Sequence, residues 1–205
     1  MIHITDKRQC SGCKACSEIC PKNCISIITD NEGFWYPNVN RSICIDCGLC
    51  ERICPQLVKK EPVSLTSCLA AKSLENSDVD TSSSGGIFVQ MAKWILKRGG
   101  IVFGVEFNEK WDALFTGVED LAALEKLKTS KYVQADTNGV FSKIKSQLVN
   151  RRWVLFVATP CQIKALHLFL GKNYPTLLTA DIICHGVPSP FVWQRYLMYR
   201  IKLDT

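Results

Sequence analysis

Eight of the twelve cysteines in this 205-residue chain fall into two copies of one spacing. Cys10, Cys13, Cys16 and Cys20 stand as C-x2-C-x2-C-x3-C with Pro21 behind them. Cys44, Cys47, Cys50 and Cys54 repeat the pattern with Pro55 behind. Every position recurs at an offset of 34 residues, the mark of a duplicated unit. Cysteine triplets with two-residue gaps suit three corners of a 4Fe-4S cubane, and the fourth cysteine of each run ligates the other cluster. The spacing therefore predicts one cluster on Cys10, Cys13, Cys16 and Cys54 and a second on Cys44, Cys47, Cys50 and Cys20. Structural zinc favours paired C-x2-C knuckles separated by longer gaps, a poor match to this pattern. The chemistry implied is electron transfer.

A second group of residues lies further along. Ser82-Ser83-Ser84-Gly85-Gly86 opens a helical pattern, where free backbone N–H groups and the helix dipole suit a phosphate; a flexible, well-capped loop has the same composition. Cys161 and Gln162 follow Thr159-Pro160 in the first turn of another predicted helix, a place for a reactive thiol or a cluster ligand, and equally for a small buried residue. Cys184 and His185 carry the same two readings, and a meeting of Cys161 with Cys184 would open a third metal or redox site. Lys131, beside Tyr132, is a cation available to an anionic cofactor or substrate, or simply a solvated lysine. Cys24 and Cys68 read as plain core thiols.

The elements that must position these residues divide at about residue 60. Residues 1–57 form a ferredoxin-like module too small to bury much apolar core, so the clusters serve as its core and the apo form folds poorly. Residues 58–64, polar and containing Pro62, read as a linker. From residue 65 to residue 205 strands and helices alternate. Strands are expected at Leu65–Ala71, Ile101–Phe107, Trp153–Ala158 and Leu177–Ile183, the last two buried. Ser73–Ser84 reads as a loop. Helices are expected at Ile87–Lys97, stopped by Gly99-Gly100, and at Leu121–Leu127, Val140–Val149, Cys161–Leu170 and Phe191–Ile201. The fold class is α+β or α/β: a bacterial-type two-cluster ferredoxin module, then a mainly parallel α/β sheet domain. The chain stops directly after the last helix, and we expect it to be truncated. If the strands before the three loops run parallel, the loops share the carboxyl edge, where open α/β sheets bind ligands.

The formal charge of +6 counts every cysteine as neutral. Each cubane with four thiolates carries about −2, which brings the loaded chain to about +2. Residues 1–60 hold eight Lys/Arg and six Asp/Glu, so two clusters turn that part net acidic. No basic run with interleaved aromatics is present, and nucleic-acid binding is not expected. No stretch approaches the ~18–20 apolar residues of a membrane span. No signal peptide opens the sequence, so the cysteines are expected to be reduced and metal-bound in a cytoplasm.

Four segments in order carry a resemblance: SSSGGIF (Ser82–Phe88), TSKYVQAD (Thr129–Asp136), ATPCQIKAL (Ala158–Leu166) and DIICHGVPSP (Asp181–Pro190). With the N-terminal module they make the chain similar to the beta-subunit family of coenzyme F-420 hydrogenases and dehydrogenases, in the form with a fused ferredoxin. The resemblance implies an iron–sulfur flavoprotein that binds FAD, with coenzyme F-420 as hydride donor in some members. It departs from the family at Thr129 and Ala158, where glycine is usual, and in lacking most of the family's C-terminal domain. The resulting expectation is an oxidoreductase passing electrons between two 4Fe-4S clusters, FAD and a two-electron substrate. Ser84, Gly85, Gly86, Lys131 and Tyr132 would serve the cofactor, and Cys161, Gln162, Cys184, His185 and Lys131 the chemistry. The partner would be an electron donor or acceptor protein, or a small-molecule reductant. The alternative is a non-catalytic electron-transfer subunit that docks to a partner enzyme.

Overall fold

A computed structural model describes residues 1–59, 67–137 and 139–204. In the N-terminal module, α1 (Ala15–Glu18) and α2 (Leu49–Arg52) are single turns, each started by the residue after the second cysteine of its run. Between them lies an antiparallel hairpin, β1 (Ile25–Thr29) and β2 (Trp35–Val39), registered Ile25 to Val39 and Thr29 to Trp35. Asp30 shapes its turn, the Oδ1 accepting from the N–H groups of Glu32 and Phe34 at 3.0 Å. The module's small core contains Ile2, Ile25 and the thiols of Cys16, Cys24, Cys50 and Cys54, so cysteines stand where aliphatic side chains would otherwise be.

After α3 (Asn76–Asp80) come α4 (Ile87–Leu96), β3 (Ile101–Phe107), β4 (Ala113–Val118) and α5 (Leu121–Leu124), which runs on as a 3-10 turn at Glu125–Leu127. Then follow α6 (Val140–Val149), β5 (Val154–Ala158), α7 (Pro160–Leu170), β6 (Leu177–Asp181) and α8 (Pro190–Asp204). The sheet has the order β4-β3-β5-β6, with β3, β5 and β6 parallel and β4 antiparallel at one edge. Side chains alternate across a strand. Val102 and Leu155 therefore face α4 and α5, packed with Val89, Ala92, Ile95 and Leu124, while Phe103, Val154 and Phe156 face α6 and α7. The architecture is a ferredoxin-type module followed by an α/β domain with a mixed, mostly parallel sheet.

The two parts share one core. Cys13, Ala15 and Ile53 belong to the same buried cluster as Phe141, Phe156, Ala165 and Leu166. α1 packs directly against α6 and α7.

Several sequence expectations change. The strand at Leu65–Ala71 is not found: residues 65 and 66 lie outside the described residues, and 67–71 run without ladder partners, with Leu69 86% exposed. The position beside β3 is taken by β4, unread in the sequence. The predicted loop at Ser73–Ser84 contains α3. The strand expected at Leu177–Ile183 ends at Asp181 and is only half-buried, because β6 is the sheet's other edge. The predicted linker lies outside the described residues from Lys60 onward. Among the described residues no helix is long and apolar enough to cross a membrane.

Candidate functional site

The duplicated cysteines line two open cavities. Cys10, Cys13, Cys16 and Cys54 border one of about 380 Å³, with Lys14, Trp35 and Ile53. Cys20, Cys44, Cys47 and Cys50 border the other, about 330 Å³, with Met1, Asp46 and Leu49. The last cysteine of each run thus borders the cavity lined by the first three of the other. Two backbone N–H groups already point at sulfur, Gly12 to Cys10 Sγ at 3.4 Å and Ile2 to Cys50 Sγ at 3.2 Å. Burial pushes the Cys13 thiol up to about 11, and it raises Cys16 and Cys10 as well. Buried thiols of this kind become thiolates when a cation compensates the charge. Among the described residues no group of three or more His, Cys, Asp or Glu is arranged to hold a metal ion.

Cys24, expected to be a plain core thiol, lies 3.3 Å from Cys20 Sγ and lines the second cavity. The hydrogen bond with Cys20 raises its thiol. Cys68 is exposed.

The carboxyl edge of the parallel strands gathers the later residues. Because β5 and β6 run parallel, the loops after Ala158 and after Asp181 leave on one side. α4 precedes β3 and packs along it, so its N-terminal loop, 82–86, comes to that same edge. Gly86 starts α4 with φ +76, and a Cβ there would lie 3.1 Å from Asp78 O. Both facts require glycine. Asp78 anchors this corner: buried, its carboxylate accepts from Lys93 Nζ at 2.6 Å and Gln90 Nε2 at 2.7 Å.

The segment 129–137 ties the site together. Ser130 N–H donates to Ser83 Oγ at 2.9 Å, and Gln134 N–H to Pro188 O at 3.1 Å. Gln134 Nε2 reaches Ser11 O at 3.4 Å, and Thr137 Oγ1 donates to Cys13 O at 2.5 Å. One short stretch thus touches the Ser/Gly loop, the loop after β6 and the cysteine module. Thr129, where the resemblance expects glycine, has φ +68. A β-branched residue in that region is strained.

The predicted site residues divide. Cys161 is part-buried in the first turn of α7, with its Sγ 3.2 Å from Thr159 Oγ1, and α7 packs against α1 of the cysteine module. Gln162 is a capping residue: its Oε1 accepts from Thr159 N–H at 3.1 Å and Thr159 Oγ1 at 2.9 Å. Lys131 Nζ is turned onto the carbonyls of Lys126, Lys128 and Thr129, and burial holds its ammonium below the usual lysine range. Ser84, Tyr132, Cys184 and His185 are exposed, while Gly85 is part-buried and Gly86 buried. Sequence reasoning missed Lys14, Asp78, Gln134, Asp136, Thr137 and Lys164. Of these, Gln134, Asp136 and Lys164 fall within the segments that carry the resemblance, and Lys14 stands where the second repeat has Gly48.

Residues 9–58 match the family model of a 4Fe-4S dicluster domain. A 7Fe ferredoxin of Hydrogenibacillus schlegelii is 42% identical over 48 residues, which cover 22% of this chain and 55% of the ferredoxin. An uncharacterized protein of Methanocaldococcus jannaschii is 23% identical over 202 residues, covering 83% of this chain and 55% of that protein. The chain spans about half the length of these curated relatives. Among solved structures, a chain of the F420-reducing [NiFe] hydrogenase complex of Methanosarcina barkeri has a similar fold. Its TM-score is 0.50 at 16% identity, over 62% of this chain and 46% of that chain. The class is therefore an iron–sulfur electron-transfer domain followed by an α/β domain with a mixed, mostly parallel sheet.

Proposed function

We propose that the protein is an iron–sulfur flavoprotein oxidoreductase that passes electrons between two 4Fe-4S clusters, FAD and a two-electron substrate. Cys10, Cys13, Cys16 and Cys54 hold one cluster, and Cys20, Cys44, Cys47 and Cys50 the other. The observation that carries the reading is the contact between α7, the helix that follows β5, and the first cavity's wall: Lys164 Nζ donates to the carbonyl of Pro55, a lining residue, at 2.7 Å. The clusters supply one-electron steps, and FAD exchanges these for a two-electron step.

The chain's own residues have distinct roles in this reading. Ser83, Ser84, Gly85 and Gly86 present backbone and hydroxyl groups at the start of α4 to the cofactor's phosphates. Tyr132, Cys184 and His185 flank the same edge from exposed positions. Gln134 Oε1 is buried without a hydrogen-bond partner among the described residues, which supports a donor group bound at this seam. Coenzyme F-420 is the hydride donor we would try first, on the resemblance of the four segments.

A second reading, a non-catalytic subunit docking to a partner enzyme, is favoured by Gln162 and Lys131, whose polar atoms are engaged by the chain itself. One experiment separates the two: iron, sulfide and flavin quantified per chain after anaerobic purification. About eight irons with one FAD support the flavoenzyme. About eight irons without flavin leave the electron-transfer subunit.

A further inference from the structure

The two halves of the cysteine repeat differ in charge where they should match. The 34-residue offset places Lys14 opposite Gly48 and Gly12 opposite Asp46. All four residues have positive φ: +63 at Gly12, +59 at Lys14, +48 at Asp46 and +69 at Gly48. Both halves therefore need left-handed backbone on either side of their second cysteine. Glycine adopts it freely, whereas Lys14 does so against steric resistance. A lysine at this position calls for an explanation in its side chain.

That side chain is buried in the wall of the first cavity. Lys14 is 9% exposed, its Nζ lies 3.9 Å from the centre of the Trp35 ring, and it pairs with Asp136 Oδ1 at 2.8 Å. Asp136 belongs to the α/β domain, does not line the cavity and is 39% exposed, so water screens it more than the lysine. The second cavity has no side chain at Gly48. Its wall includes Asp46, 3.8 Å from Cys44 Sγ, and the cations around it are exposed or paired: the Arg52 guanidinium, which donates to Cys47 O at 3.1 Å, is exposed to water. The Met1 ammonium faces two carboxylates, Glu51 at 3.2 Å and Asp46 at 3.9 Å, and Lys22 is exposed.

Position reinforces charge. The first cavity lies against the α/β domain, with Cys13 in the shared core and bonded through its carbonyl to Thr137. The second is flanked by the exposed Ile45 and Cys47.

We propose that Lys14, trimmed by Asp136, sets the order of the relay. The cluster on Cys10, Cys13, Cys16 and Cys54 is the inner, higher-potential one, and the cluster on Cys20, Cys44, Cys47 and Cys50 is the outer one that meets an external one-electron donor protein. The inference rests on the reading that the eight cysteines hold two cubanes. In each transfer one electron leaves the outer cluster, which is oxidised, and enters the inner, which is reduced; no bond forms or breaks. Adding an electron to a cluster makes it more negative, so a buried ammonium in its wall favours the reduced form and raises the potential. Lys14 is a positioning residue for this charge.

The test is anaerobic potentiometry with paramagnetic resonance detection on the loaded protein, alongside iron counts. Lys14→Met is expected to lower one midpoint and leave the other in place. Asp136→Asn is expected to raise the same midpoint, since it leaves the ammonium uncompensated. Gly48→Lys is expected to raise the other. A purely structural role for the pair would not move one midpoint in opposite directions. Unmoved midpoints, or equal shifts of both, in variants that keep about eight irons overturn the proposal. Wild-type protein with far fewer irons overturns the cluster reading instead. If Lys14→Met does not load, Asp136→Asn and Gly48→Lys decide the question.

Discussion

At the scale of single residues, the site is held by groups that contradict local preference or sit where water is scarce. Thr129 is the clearest: φ +68 on a β-branched residue costs about 1–2 kcal/mol relative to right-handed backbone. Thr129→Gly is therefore expected to stabilise the protein, by about 1 kcal/mol once glycine's extra unfolded-state entropy is deducted, seen as a higher melting temperature. An unchanged or lower melting temperature would show that the Thr129 side chain has a compensating role. Asp78 is the second case. The hydrogen bond from Lys93 holds its carboxyl below the usual carboxylate range. A carboxyl depressed in the folded state contributes stability in full above its unfolded value of about 3.9, and loses it as pH falls through the folded value. Asp78→Asn should accordingly speed amide exchange along α4 at neutral pH. The difference from wild type should shrink as the pH is taken down through 4 and below. A gap that persists undiminished in acid would mean that the effect comes from shape and not from charge.

At the scale of elements, α7 packs against the cysteine module, and its start is fixed by three side chains. Thr159 stands at the cap, Pro160 occupies the first helical position, and Gln162 reaches back to the cap's N–H. Thr159→Ala is expected to cost about 1 kcal/mol, and Thr159→Ser to keep most of it, as measured by chemical denaturation. Equal losses for both would remove the hydroxyl from the account. The start of this helix was legible in the sequence because Thr-Pro is a local signal. The same holds for β3, whose ends match the expectation, and for α4 ahead of Gly99. β4 was not legible. Its Gly117 reads as a breaker, yet it is needed because a Cβ would lie 2.8 Å from the Phe103 ring of the neighbouring strand. The strand expected at Leu65–Ala71 failed for the converse reason: the right composition over 67–71 had no neighbour to pair with. Lys131 and Gln162 looked chemical because their types are, and only the folded chain shows which carbonyls and caps engage them.

At the scale of the whole molecule, the module and the α/β domain are tied by contacts far apart in sequence. Lys164 Nζ donates to Pro55 O at 2.7 Å and Val58 O at 2.5 Å. Ser142 N–H, in the first turn of α6, donates to the Glu18 carboxylate, and Ser189 Oγ donates to Glu32 O at 2.5 Å. Beneath these lie Ala15 and Ile53, inserted among Phe141, Ala165 and Leu166. The module's own core is mostly thiol, so its folding depends on what the thiols bind. Removing iron with a chelator under anaerobic conditions should then unfold the module and strip one face of α6 and α7. Withdrawing a side chain the size of Ile53 costs about 1.5–3 kcal/mol of burial. Amide exchange should rise along residues 140–149 and 160–170, while α4, packed on the opposite sheet face by Val102 and Leu155, keeps its protection. If α6 and α7 keep theirs as well, the shared core is not cooperative and the two parts fold independently. If all three helices lose protection together, the clusters support the entire sheet and the coupling reaches further than the packing alone requires.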